Sequence, residues 1–237
     1  MQSRVKQIET RIAREIEEKE GLLLDLERIS SLKIMPLAHH KETLVHIKDY
    51  SVKYKGNKEP VFANIAFDIK KGSRIALHGE NGCGKSTLIK MVLQKSGFTN
   101  TNMPVTESGI SETASGLVVS YVSQDTSMLK GNIQEFCIKQ NLDKSLFFSI
   151  LRQLGMERTQ FVKEIGDYSE GQKKKLLLAA SLLMPAHLYI WDEPLNYIDV
   201  FSRMQIENLI SEYKPTMLFV EHDKVFREKI ATTIIKL

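Results

Sequence analysis

The stretch Gly79-Glu80-Asn81-Gly82-Cys83-Gly84-Lys85-Ser86 limits what this chain can fold into more than any other. It matches G-x-x-x-x-G-K-[ST], a loop whose glycines let backbone N–H groups turn inward around phosphate oxygens. Its flanks fit the same reading. "SRIALHG" reads as a short buried strand before the turn, and "KSTLIKMVLQ" as a helix after it. A helix starting there adds the positive end of its dipole to the same anion. Gly79, Asn81, Gly82, Cys83, Gly84, Lys85, Ser86 and Thr87 are the expected nucleotide cradle. Lys85 is placed to reach the β and γ phosphates, and Ser86 to hold Mg²⁺. The bland alternative, a glycine turn that happens to precede a lysine, needs a chance match of roughly 1% in a chain of this length.

Strand and helix signals alternate after this loop, which implies an α/β fold with a mainly parallel sheet. "GLVVSYV" reads as a strand, and residues 130–165 as short helices with Asp143 as an N-cap and Gly155 as a stop. A helix over 170–183, a strand over 187–192, a helix over 198–213, a strand over 216–221 and a helix near 223–229 follow, and "TTIIKL" closes the sheet. Before the loop, "TLVHIKDYSVKY" and "VFANIAFDI" read as hairpin strands, an added antiparallel part. The alternation of the first slips near Lys48–Asp49, the mark of a bulge. Residues 95–116 read as loop or a weak edge. Residues 1–33 read as one amphipathic helix, with Val5, Ile8, Ile12 and Ile16 leading its apolar stripe and Pro36 ending it. A protruding arm or linker fits this helix better than one packed on its own domain. The expected domains are therefore a helical linker or arm, 1–38, and a nucleotide-binding domain, 39–237.

Composition excludes more than it selects. A net charge of +4 neither demands nor excludes a nucleic-acid partner. No run approaches eighteen apolar residues, so no membrane insertion is expected. The two cysteines, Cys83 and Cys137, suit a reduced, cytoplasmic protein.

Further chemistry sits at the strand ends. "HLYIWDEP" ends an apolar strand in two acids, where Asp192 suits Mg²⁺ and Glu193 an attacking water. An acid pair without the phosphate loop would read as a solvated strand end. His222 follows "TMLFVE" as a candidate γ-phosphate contact, Gln124 follows "LVVSYV" as a weaker candidate, and Tyr54 is a candidate to stack on a base. "YSEGQKKK" starts a second helix suited to phosphate, with Ser169 as cap and Gly171 allowing close approach. Its lysines, Lys173 to Lys175, read as a solvated face.

Taken in order, Tyr54, the phosphate loop, Gln124, "YSEGQ", "LYIWDEP", "LNYID" and His222 resemble an ATP-binding cassette (ABC) ATPase over about residues 42–237. The resemblance implies a P-loop cassette with a mixed sheet core, an antiparallel β subdomain and a small helical subdomain. It implies ATP and Mg²⁺ as ligands, with Ser86, Gln124 and Asp192 at the metal. Glu193, His222, Gln124 and Lys85 are the implied catalytic set. "YSEGQ" stands where such cassettes have "LSGGQ", with Glu170 in place of a glycine. Through it, Ser169, Gly171 and Gln172 are implied to grip a nucleotide bound to a second cassette, in the same longer chain or in a homodimer. "DEPLNYIDVFSR" and the charged N-terminal helix are similar to the second cassette of ABC-F translation factors, and "EPLN" to their Lsa- and Vga-like ribosomal protection branch. That likeness implies the ribosome and its RNA as partners, and a first cassette that this chain lacks. The alternative is the ATPase subunit of a membrane transporter, which leaves the N-terminal helix unexplained.

Overall fold

A computed structural model describes residues 32–98 and 103–237. Of the helix expected over 1–33, residues 1–31 lie outside the described residues, and Leu32 and Lys33 are not helical. The unit Lys33–Leu237 is built around two sheets.

The first sheet is antiparallel, in the order β2-β1-β4. Its strands are β1 (Thr43–Tyr54), β2 (Phe62–Lys70) and β4 (Val105–Thr113). β4 takes the edge-strand reading of 95–116 and lies against β1. The bulge falls where the alternation slips: pairing to β2 shifts between Ile47 and Tyr50, and pairing to β4 shifts between Lys48 and Ser51. Asp49 takes a left-handed backbone there, φ 48. Gly109, φ 81, faces it so closely that a methyl group would strike the Asp49 carbonyl. The bulge thus requires a glycine on its partner strand.

The second sheet is parallel, in the order β5-β6-β7-β3-β8. It comprises β3 (Arg74–His78), β5 (Val119–Val122), β6 (Leu188–Asp192), β7 (Met217–Val220) and β8 (Thr233–Lys236). β6 and β7 are buried at every position, as interior strands of a helix-covered parallel sheet must be. "TTIIKL" supplies the edge strand β8 beside β3.

The helices are α1 (Lys85–Lys95), α2 (Ile133–Lys139), α3 (Lys144–Gln153), α4 (Glu170–Leu183), α5 (Val200–Tyr213) and α6 (Lys224–Ile230). Asp143, Asp199 and Asp223 cap α3, α5 and α6 by accepting the backbone N–H groups of Leu146, Ser202 and Phe226. Gly155 stops the α3 segment at φ 75. One core joins α1, through Leu88, Ile89 and Val92, to both sheets. Among the described residues, no helix is long and apolar enough to cross a membrane.

Candidate active site

Four neighbouring parallel strands deliver their following residues to one edge of the sheet. β5 leads to Gln124, β6 ends in Asp192 and leads to Glu193, β7 leads to Glu221 and His222, and β3 leads to the glycine loop. Register links them: Asp192 lies opposite Val220, and Val220 opposite Leu77.

The loop turns because its glycines adopt left-handed backbone, φ 86 at Gly82 and φ 102 at Gly84. A methyl group on Gly84 would strike Val61 and Phe62, so the loop seats tightly on β2. Lys85 is buried, and its Nζ donates to the carbonyls of Gly79 at 2.9 Å and Glu80 at 2.8 Å. Asn81 and Gly82 are exposed at the loop's tip, and Cys83 is half-buried with its thiol free. Thr87 is buried, and its hydroxyl pairs with the Tyr54 hydroxyl at 3.2 Å. The Tyr54 ring therefore stands beside the start of α1, half-exposed, and not in the core.

Asp192 is 2% exposed, and its Oδ1 has no hydrogen-bond partner. Burial raises its pKa, against the Ser86 side-chain hydrogen bond that lowers it. A buried carboxylate with an orphaned oxygen beside a hydroxyl is a donor set that fits a hard cation. Glu193 is buried in a left-handed turn, φ 49. Three side chains meet its carboxylate. Gln124 Nε2 donates to Oε2 at 2.9 Å, Asn196 Nδ2 donates to the same oxygen at 2.6 Å, and the His222 ring is 3.0 Å from Oε1. A carboxylate only accepts, so His222 Nε2 carries the proton. With its amide nitrogen so used, Gln124 keeps its carbonyl oxygen for a cation.

Three groups here were not singled out in the sequence. Asn196 lies three residues after Glu193, a spacing that signals contact only once the chain is known to turn there. Buried Glu221 accepts the Leu195 N–H at 2.8 Å. Arg203 donates to the Leu195 and Ile198 carbonyls and reaches Asp223 at 3.4 Å, so the 195–199 loop is tied to both sides of His222.

The "YSEGQ" segment caps α4. The Ser169 hydroxyl accepts the Gln172 backbone N–H, and the Gln172 side-chain Oε1 accepts the Ser169 backbone N–H, a reciprocal box. Ser169 is exposed, while a methyl group on Gly171 would strike the Tyr197 carbonyl. Glu170 accepts the Thr126 hydroxyl, which lowers its pKa, with Lys173 assisting. The lysines correct an expectation: they are not a solvated face. Lys174 is 2% exposed and donates to the Ser123 carbonyl at 2.8 Å. Burial lowers its pKa, against the pull of Asp192, Glu193 and Glu221. Lys175 pairs with Asp199 at 2.7 Å. The run joins α4 to the acidic edge because helical spacing turns Lys174 inward.

The family described as ABC transporter matches residues 62–196. The ATP-binding protein Uup of Buchnera aphidicola subsp. Acyrthosiphon pisum is 31% identical over 87% of this chain and 34% of its own length. The ribosome protection protein VmlR of Bacillus subtilis is 31% identical over 75% of this chain and 31% of its own. The chain thus spans about a third of the length of these relatives. A solved structure described as the ATP-binding subunit of an ABC transporter superposes with a TM-score of 0.64 at 22% identity, covering 82% of this chain and 86% of that one. This last likeness bears on the fold alone.

Proposed function

Since the chain belongs to the ABC transporter family, we propose that it is the ATP-binding and ATP-hydrolysing cassette of an ABC-F type translation factor, one that closes on a second cassette with ATP between them. The observation that carries the reading is the convergence of Gln124, Asn196 and His222 on the Glu193 carboxylate, one residue from an orphaned acid and beside the glycine loop. The ribosome as partner is supported by the likeness to the ribosome protection protein VmlR, by the resemblance of "DEPLNYIDVFSR" to the second cassette of ABC-F factors and by that of "EPLN" to their protection branch. The second cassette is supported by relatives about two and a half times as long as this chain.

On this reading the loop N–H groups and Lys85 bind the β and γ phosphates, and Tyr54 flanks the base. Mg²⁺, when held by Ser86, Asp192 and the Gln124 carbonyl, supplies positive charge against the phosphates. Glu193 takes a proton from the water whose oxygen bonds to the γ-phosphorus as the bond to ADP breaks. Gln124 and Asn196 hold that carboxylate in position. His222 holds it from the other side and offers its exposed ring to the γ-phosphate. Ser169, Gly171 and Gln172 meet the nucleotide of the other cassette.

The test is ATP turnover and ribosome pelleting. Glu193→Gln is expected to slow turnover by about 100-fold or more, the usual worth of a general base, with MgATP affinity retained. The same variant is expected to pellet with ribosomes in ATP more than the wild type does. Undiminished turnover removes Glu193 from the role. Partition into membranes in place of ribosomes favours the transporter subunit.

A further inference from the structure

The helical segment between Gln124 and Ser169 holds a cleft that nucleotide chemistry leaves unused. On α3, Lys144, Phe148 and Arg152 recur every fourth residue and share a face. Phe147, Ile150 and Leu151 are buried on another face, which fixes the helix and keeps the first set outward. The 3-10 turn Arg158–Gln160 and Phe161 form the other wall, and the cleft holds about 430 Å³. Phe148 and Phe161 meet edge to face with ring centroids 4.7 Å apart. Lys144 Nζ lies 5.8 Å from the Phe148 centroid.

Charge in this cleft is one-sided. Lys144, Arg152 and Arg158 are exposed, and none forms an ion pair among the described residues. No acid lines the cleft. The two acids next to these cations in sequence are engaged elsewhere. Asp143 caps α3, and Glu157 accepts the Thr159 hydroxyl at 3.3 Å. Exposed cations around an aromatic pair suit a planar ring flanked by phosphates. A duplex keeps its bases stacked away from such a cleft, whereas an unpaired strand can turn one in.

We propose that this cleft binds a single-stranded segment of RNA, with a base against Phe148 and Phe161 and the flanking phosphates on Lys144, Arg152 and Arg158. An acidic peptide satisfies the same cations but leaves the two rings without a stacking partner. The ribosome-directed reading supplies the cellular source of such RNA and is all that this inference takes from it.

The experiment uses the full chain, without ATP, and a fluorescent oligoadenylate of about 12 nucleotides. Anisotropy is measured between about 50 and 200 mM KCl. Three neutralised phosphates give a slope of about −2 for log K against log salt. Arg152→Glu with Arg158→Glu, both on exposed side chains, is expected to weaken binding at least about tenfold and flatten the slope by about 1.4. Phe148→Leu is expected to weaken it about 5- to 100-fold with the slope unchanged, since stacking carries no counterions. Phe161→Leu provides the same reading if Phe148→Leu melts early. RNA affinity unaltered by the paired charge reversal overturns the proposal. So does equal competition by polyglutamate, which marks the cleft as an acidic-peptide surface. ATP turnover of the charge-reversed chain, read in parallel, is expected at the wild-type level. A chain that binds RNA but not MgATP refutes the nucleotide reading alone.

Discussion

Asp192 places a carboxylate where water cannot reach it and gives one of its oxygens no donor. Burial raises its pKa above the ordinary value, so the ionised form is the costly one in the fold. The sign follows from linkage: above the unfolded pKa, ionised Asp192 destabilises the fold, and below it the penalty fades. Asp192→Asn is therefore expected to raise the melting temperature of the nucleotide-free protein near pH 7, by about 2–4 °C for each ~1 kcal/mol relieved. The gain is expected to vanish below about pH 4, and Mg²⁺-dependent ATP affinity to fall. Differential scanning calorimetry at the two pH values and a nucleotide titration check both arms. A stabilised variant that also keeps metal-dependent binding removes Asp192 from the metal. The type and position of Asp192 were readable in "LYIWDEP", but its unpaired oxygen was not, because it depends on what three other strands bring to the same edge. Lys174 teaches the same lesson. A run of lysines shows its charge in sequence, while its burial against Ser123 depends on packing between α4 and the loop after β5.

Elements here are joined at their ends. α4 meets the start of α5 through Lys175 and Asp199, and Asp199 is also the α5 cap. Partial burial pushes the Asp199 carboxyl up, but Lys175 and the Ser202 donors outweigh it and hold it at about 2, below its ordinary 3.8. A depressed carboxyl stabilises the fold above its unfolded pKa and loses that contribution as pH falls toward the folded value. Lys175→Ala is expected to lower thermal stability at pH 5–7 and to converge on the wild type as pH falls from about 4 to 2. Melting curves across that window check it, and a constant offset at every pH would assign Lys175 a packing role only. The element ends were readable where local chemistry sets them. Ser169 and Gln172 spell a capping box, Asp143 precedes an amphipathic run, and the bulge showed as a slipped alternation. β4 was harder, because Val105–Thr113 is mostly exposed and forms a strand through its pairing with β1 and not through its own pattern.

At the scale of the molecule, ligand binding and stability are one measurement. MgATP at about 100 times its dissociation constant adds ~2.7 kcal/mol to a fold that binds it only when native. For a domain of this size that is a rise in melting temperature of about 5–11 °C. Lys85→Ala is expected to abolish the rise, and thermal melts with and without nucleotide decide it. A variant that keeps the full shift places the phosphates elsewhere. The alternating architecture was legible from Arg74 to the last strand because a parallel sheet writes short apolar strands between helices. The order β5-β6-β7-β3-β8 was not, since strand order leaves no mark in local periodicity.

That order has a consequence for how such a site can change over time. Neighbouring strands stand about 4.8 Å apart, held by main-chain bonds that every residue type can make. The distances between Gln124, the two acids, His222 and the glycine turn are thus inherited from the backbone. Any one tip can be exchanged while the others keep their aim, so the apparatus is fixed in its frame and editable at its teeth.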